Sequence, residues 1–209
     1  ECFRSKTRST AEQAEQYLRG LFQSPRANLE QMSETVTETE YHSLHHMLSD
    51  AAWDFTTVRW ETARQADELL GGPEAGLLLD ESGFEKKGDR SAGVARQYNG
   101  RLGKVENSQV GVYAALARGS QAAIIDFELF LPERWVKDAK RCQEARIPES
   151  ARVFRSKPQM AAEMVKRARA AGVRFGFVGA DGLYGHATWL LFDGDDAGEV
   201  FATEVHSDQ

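Results

Sequence analysis

Ala75-Gly76-Leu77-Leu78-Leu79-Asp80 is a short apolar run that closes on a lone carboxylate, and Val173-Arg174-Phe175-Gly176-Phe177-Val178-Gly179-Ala180-Asp181 repeats the pattern later in the chain. Short apolar runs bounded by Gly and Pro read as buried strands. Two such strands deliver two acids to one edge of a sheet. Carboxylate oxygen is the preferred ligand of hard divalent cations, so the pair points to metal-assisted phosphoryl chemistry. A third acid is expected to complete the set, and the chain is expected to stop before reaching it.

Upstream of Asp80, residues 10–70 read as helical. Ala11, Ala14, Tyr17, Leu18, Leu21 and Phe22 share one helical face before a break at Ser24-Pro25. Leu44, Met47, Leu48, Ala51 and Ala52 repeat the spacing, and Phe55 to Leu70 forms a third stretch. Gly71-Gly72-Pro73 is a strong stop and the expected domain boundary, leaving a helical region 1–72 and a domain 73–209.

Downstream the period changes. Strands are expected over 77–80, 109–116 and 122–131, the last two joined by the hairpin turn Ala117-Arg118-Gly119-Ser120-Gln121. Pro132 ends the third strand, and 133–144 reads as a short helix. Ser156 is the expected N-cap of a helix with Pro158 in its first turn. Met160, Ala161, Met164, Ala168 and Ala171 form that helix's apolar stripe, and Gly172 stops it. A strand over 173–180, a helix near 184–192 and a strand over 199–205 complete the order. A right-handed crossover then sets 173–180 parallel beside 77–80. The fold class is α/β: a mixed sheet with flanking helices, similar to ribonuclease H, preceded by an α-helical region.

Composition narrows the class. At 209 residues, 41% hydrophobic and 28% charged, the chain is an ordinary globular protein and not a disordered one. No apolar stretch approaches bilayer-spanning length and no secretory signal opens the chain, so a soluble cytoplasmic protein is expected. Cys2 and Cys142 are too few for a disulfide framework or zinc site and read as reduced thiols. Net charge is −6, yet Lys86, Lys87, Arg90, Arg96, Arg101 and Lys104 form a basic window against only Glu85 and Asp89. It begins just after Asp80, where it can track DNA phosphates. His42, His45 and His46 read as ordinary helix histidines, and Trp53, Phe55 and Trp60 as helix core. The chain opens on Glu1 and closes on Ser207-Asp208-Gln209 behind a strand-like segment, and is expected to be a piece of a longer protein.

Several unusual short motifs occur in a fixed order. Asp80-Glu81-Ser82-Gly83-Phe84-Glu85-Lys86-Lys87-Gly88 is followed by Gly93-Val94-Ala95-Arg96-Gln97-Tyr98-Asn99-Gly100-Arg101-Leu102-Gly103-Lys104. Asn107-Ser108-Gln109-Val110, Leu131-Pro132 with Trp135, Pro148-Glu149, Ser156-Lys157-Pro158 and Ala180-Asp181-Gly182-Leu183-Tyr184-Gly185 come next. Over nearly its whole length the chain resembles the DDE transposases of bacterial insertion sequences, in the group numbered 701. The resemblance implies a ribonuclease-H-like core that uses two aspartates, a glutamate and two divalent ions, Mg2+ or Mn2+. Asp80 matches the first aspartate and Asp181 the second. The family's glutamate lies well downstream; Asp193, Asp195, Asp196, Glu199 and Glu204 follow Asp181 too soon to match it.

The implied function is cleavage and strand transfer of double-stranded DNA at element ends, by a homodimer at the nucleoid, with 1–72 binding terminal repeats. This chain is then a transposase segment with a partial catalytic domain, inactive alone. The alternatives are a catalytically dead DNA-binding remnant and, outside the family, a metal-dependent nuclease that cuts without joining.

Overall fold

The computed structural model describes residues 2–4, 8–185 and 198–203. The chain divides into two compact units, Glu1–Arg59 and Trp60–Gln209.

In the first unit, α1 (Ala11–Gln23), α2 (Leu29–Thr35) and α3 (Tyr41–Ser49) pack around Ala14, Met32, Val36, Leu44 and Met47. The Asn28 side chain caps α2 by accepting from the Gln31 amide at 2.9 Å. The Gln16 amide donates to the Glu38 carbonyl at 3.0 Å. One expectation is corrected here: of the predicted apolar face of α1, only Ala14 is buried, while Leu18, Leu21 and Phe22 are exposed. The reason is that α1 buries the side carrying Ala14, Gln16 and Gly20 instead. The Trp53 indole donates to the Met47 carbonyl at 3.0 Å and faces Phe3, whereas Phe55 is exposed.

α4 (Phe55–Leu70) ends at the predicted stop. Its Ala63, Ala66 and Leu70 belong to the core of the second unit, with Trp60 packed against it. Next come β1 (Gly76–Glu85), β2 (Ala95–Asn99), β3 (Lys104–Arg118), β4 (Gln121–Leu129), α5 (Glu133–Val136), α6 (Ala139–Glu144), α7 (Lys157–Ala170), β5 (Phe177–Ala180), α8 (Gly182–Gly185) and β6 (Phe201–Thr203). The described strands form one mixed sheet in the order β2-β3-β1-β5-β6, with β4 also paired to β3. β1 runs antiparallel to β3 and parallel to β5; β5 and β6 are parallel. The parallel β1–β5 pair and the β3–β4 hairpin are as expected, whereas β2 was not among the expected strands.

Local chemistry sets the element ends. Ser156 and Gln159 form a capping box at the start of α7: the Gln159 amide donates to Ser156 Oγ at 3.3 Å, and the Ser156 amide to the Gln159 side chain at 2.8 Å. The helix expected over 133–144 is two helices, because Asp138 stops α5 and caps α6 by accepting from the Arg141 amide at 2.9 Å. β1 runs five residues past the expected strand end, because Glu81–Glu85 also pair with β3. β5 is shorter than expected. The residues before it are held by the α4–β1 connection: Arg174 by Asp67, and Gly176 so close to the Pro73 carbonyl that a Cβ would sit 1.9 Å from it. The helix expected past Gly185 and the end of the last expected strand lie outside the described residues.

α7 covers one face of the sheet. Leu77, Leu79, Val112, Ala114, Leu116 and Val178 meet Met160, Ala161, Met164 and Ala168 in the main core. Arg167 ties the helix to β4 through the buried Asp126 (2.8 Å) and Glu128 (2.8 Å). A second, smaller core gathers Val94, Leu131, Trp135, Cys142 and Ile147. Both cysteines are free, and Cys142 is buried there.

Candidate active site

Strand alternation decides where the β1 side chains go. Leu77 and Leu79 are buried in the core, so Leu78 and Asp80 emerge on the opposite face and Glu81 returns to the α7 face. The parallel register sets Leu77 against Val178, Leu78 against Gly179 and Leu79 against Ala180. Asp80, within β1, and Asp181, just past the end of β5, each follow the last pair of this ladder. In open α/β sheets the carboxyl ends of parallel strands are where ligands bind.

Asp80 feels its acidic neighbours. The Asp80 carboxyl is raised above its ordinary 3.8, first by partial burial, then by the charges of Glu81 and Asp181; the Glu81 amide, donating at 2.7 Å, and Lys157 oppose the rise. Tyr113 pairs with Asp80 across β3, and burial pushes its hydroxyl above the usual tyrosine value.

Beneath the pair lies a network that sequence reasoning did not assign. Glu81 Oε1 accepts from Lys157 Nζ at 2.7 Å, and Glu81 Oε2 accepts from the Tyr184 hydroxyl at 2.8 Å. Both charged side chains are 17% exposed and Tyr184 is fully buried. Burial, with the charge and hydrogen bond of Glu81 next, holds the Tyr184 hydroxyl far above the range in which tyrosine ionises. Two signals pointed this way. A carboxylate immediately after Asp80 in a strand must face the covered side and find a partner. A lysine in the first turn of a helix opposes the helix dipole unless an acid compensates it.

The basic residues cluster past the end of β1. Lys86, Lys87 and Arg90 lie on the β1–β2 loop; Arg96 is in β2, Arg101 in the turn that follows, and Lys104 opens β3 beside Glu106 at 3.1 Å. All but Lys86 are exposed. The loop is pinned along its length. Asn107 donates to the carbonyls of Lys86 (2.6 Å) and Gly88 (2.9 Å), and Gln109 to that of Ala92 (2.8 Å). Arg141 reaches the Asp89 carbonyl at 2.7 Å while lying 3.9 Å over the Trp135 ring, whose indole donates to Val94 at 2.8 Å. Gly93 turns at φ 74°, where a Cβ would press the Phe130 carbonyl. These contacts give the Asn107–Gln109 and Trp135 motifs a physical reason.

Among the described residues no group of three or more His, Cys, Asp or Glu is placed to hold a metal ion, and His42, His45 and His46 make no such cluster. Asp193, Asp195, Asp196 and Glu204 lie outside the described residues; Glu199 pairs with Arg169 at 2.6 Å. No described helix is long and apolar enough to cross a membrane.

A mixed sheet in this order, flanked by helices and preceded by a helical region, is a ribonuclease-H-like fold. The model of the DDE superfamily endonucleases matches residues 1–209, and the chain belongs to that family, whose members use divalent metal ions. It is 29% identical over 162 residues to a probable transposase for insertion sequence element IS701 from Microchaete diplosiphon, an alignment covering 78% of this chain and 40% of that protein. The match thus spans about two fifths of the relative's length.

Proposed function

We propose that this chain comprises the helical region and catalytic core of an insertion-sequence transposase that cleaves and rejoins double-stranded DNA at the ends of its element. The supporting observation is the β1–β5 register: its last pair, Leu79 with Ala180, leaves Asp80 and Asp181 each one residue further along the chain. Two carboxylates that each follow the last pair of the β1–β5 ladder are a hard, anionic donor set, which fits Mg2+ or Mn2+. Asp80 and Asp181 would hold the ions, two in the complete site, with a further acid beyond the described residues. When bound, such ions supply the charge that activates a water or 3′-hydroxyl oxygen and stabilises the leaving oxygen.

The other residues serve binding. Lys86, Lys87, Arg90, Arg96, Arg101 and Lys104 neutralise phosphates beside the acids, on a loop and hairpin stiffened by Asn107, Gln109 and Arg141. Residues 1–72 engage the terminal repeats, residues 73–209 carry the catalytic domain, and two copies act on paired ends at the nucleoid. The test is a Mg2+- or Mn2+-dependent strand-transfer assay on the complete transposase with Asp80→Ala and Asp181→Ala. Unchanged activity in either variant refutes the reading.

A second reading, DNA binding without cleavage, is favoured by the lack of a third acid clustered with the pair among the described residues. It predicts that this chain retards terminal-repeat DNA in a gel yet never nicks it, with or without metal.

A further inference from the structure

We infer that Glu81 is a positioning residue: by accepting the Tyr184 hydroxyl and pairing with Lys157, it ties the turn that carries Asp181 to the strand that carries Asp80. The inference rests on the reading of Asp80 and Asp181 as the metal-holding pair.

The ladder between β1 and β5 covers four residue pairs and ends at Leu79 and Ala180, one residue short of the acids. Past that point the relative placement of the two carboxylates depends on contacts outside the ladder. Tyr184 stands three residues beyond Asp181, and its amide donates to the Asp181 carbonyl at 3.2 Å, closing a turn. Its ring is anchored in the main core and its hydroxyl reaches Glu81, the residue after Asp80, at 2.8 Å. Each end of the Tyr184–Glu81 hydrogen bond thus sits beside one member of the acid pair. Lys157 sets its ammonium 2.7 Å from Glu81 Oε1, both side chains being 17% exposed. The capping box fixes the start of α7 and so restricts Lys157. A hydrogen bond to a charged acceptor is worth enough to shift a local equilibrium by about ten-fold or more.

The test uses this chain and Mn2+ as the probe, with binding followed by electron paramagnetic resonance and the Tyr184 amide by hydrogen exchange. Tyr184→Phe keeps the buried ring and removes only the hydroxyl. It is expected to weaken Mn2+ binding by about ten-fold, and to speed exchange at the Tyr184 amide similarly, with little change in melting temperature. Glu81→Gln keeps an acceptor for the hydroxyl and should retain most of the affinity; Glu81→Ala should lose it. Adding Tyr184→Phe to Glu81→Ala should cost no more than Glu81→Ala alone. A purely structural role would move the melting temperature and leave Mn2+ affinity to follow stability. Wild-type affinity in Tyr184→Phe, in a chain whose binding Asp80→Asn removes, overturns the inference. Should Asp80→Asn and Asp181→Asn leave Mn2+ binding intact, the metal reading of the pair fails instead. The exchange rate still decides the tether: faster exchange in Tyr184→Phe supports it, and an unchanged rate overturns it.

Discussion

Alternate residues of β1 belong to two different environments. On the α7 face, Leu77 and Leu79 are buried and the carboxylates of Glu81 and, on β4, Asp126 are matched by Lys157, Tyr184 and Arg167. On the other face, Leu78 is 41% exposed, and Phe84, Tyr98, Val105, Ile124, Phe127 and Leu129 are exposed too. The strand registers set their side chains on Asp80's side of the sheet. There the described hydrogen bond to the Asp80 carboxyl comes from its own neighbour's backbone amide. The difference separates an acid locked into the fold from one left open to solvent. Under a helix, ionised groups are expensive unless opposite charge or donors meet them. On the open face the cost is lower, and an acid can keep its lone pairs for a ligand.

The sharpest way to break the contrast is to remove the acids themselves. If the pair holds metal as proposed, Asp80→Ala or Asp181→Ala in the complete transposase is expected to lower DNA cleavage by about a thousand-fold or more, measured by release of nicked product, because a metal ligand acts in the transition state. Next in size is the difference between neighbouring leucines. Leu77→Ala, which opens a cavity under α7, should cost about 3 kcal/mol in urea denaturation, whereas Leu78→Ala should cost under about 1 kcal/mol.

A smaller effect follows from the raised pKa of Asp80. The folded state favours its protonated form, so the group contributes stability below about its ordinary 3.8, and that contribution is lost as pH rises through the elevated folded value. Asp80→Asn should therefore melt higher than the wild type at neutral pH, with the gap closing below about pH 3.8. Thermal melts across that interval check the sign; a variant that melts lower at neutral pH contradicts it. Smallest of all, neutralising any one of Lys87, Arg90, Arg96, Arg101 or Lys104 should reduce the slope of log affinity against log salt by about one, without changing the fold. Equal slopes would detach that residue from the DNA path.

Much of this fold is legible locally. The stop at Gly71-Gly72-Pro73, the Ser156 cap with Pro158 and the hairpin around Gly119-Ser120 each act within a few residues, so each is written in the sequence near it. The misread parts depended on distant partners. The apolar side of α1 was identified by period, but α1 turned a different side inward. β5 was shortened by contacts from Asp67 and Pro73. At the site, Asp80 and Asp181 were visible because each terminates an apolar run. Glu81, Lys157 and Tyr184 were quoted as neighbours in motifs and went unassigned, since the bonds that give them meaning span 76 and 103 residues.

The sequence by itself determined most of the order of elements, two apolar runs that each close on an acid, and a basic window after the first of them. These follow from local periodicity, caps and turn residues, which act over one element at a time. Only the tertiary structure decided which face of β1 each residue occupies, how β1 and β5 align, and which acids are neutralised. Register and covering are set by packing between segments far apart in the chain, and a shift of one residue would exchange the roles of Asp80 and Glu81.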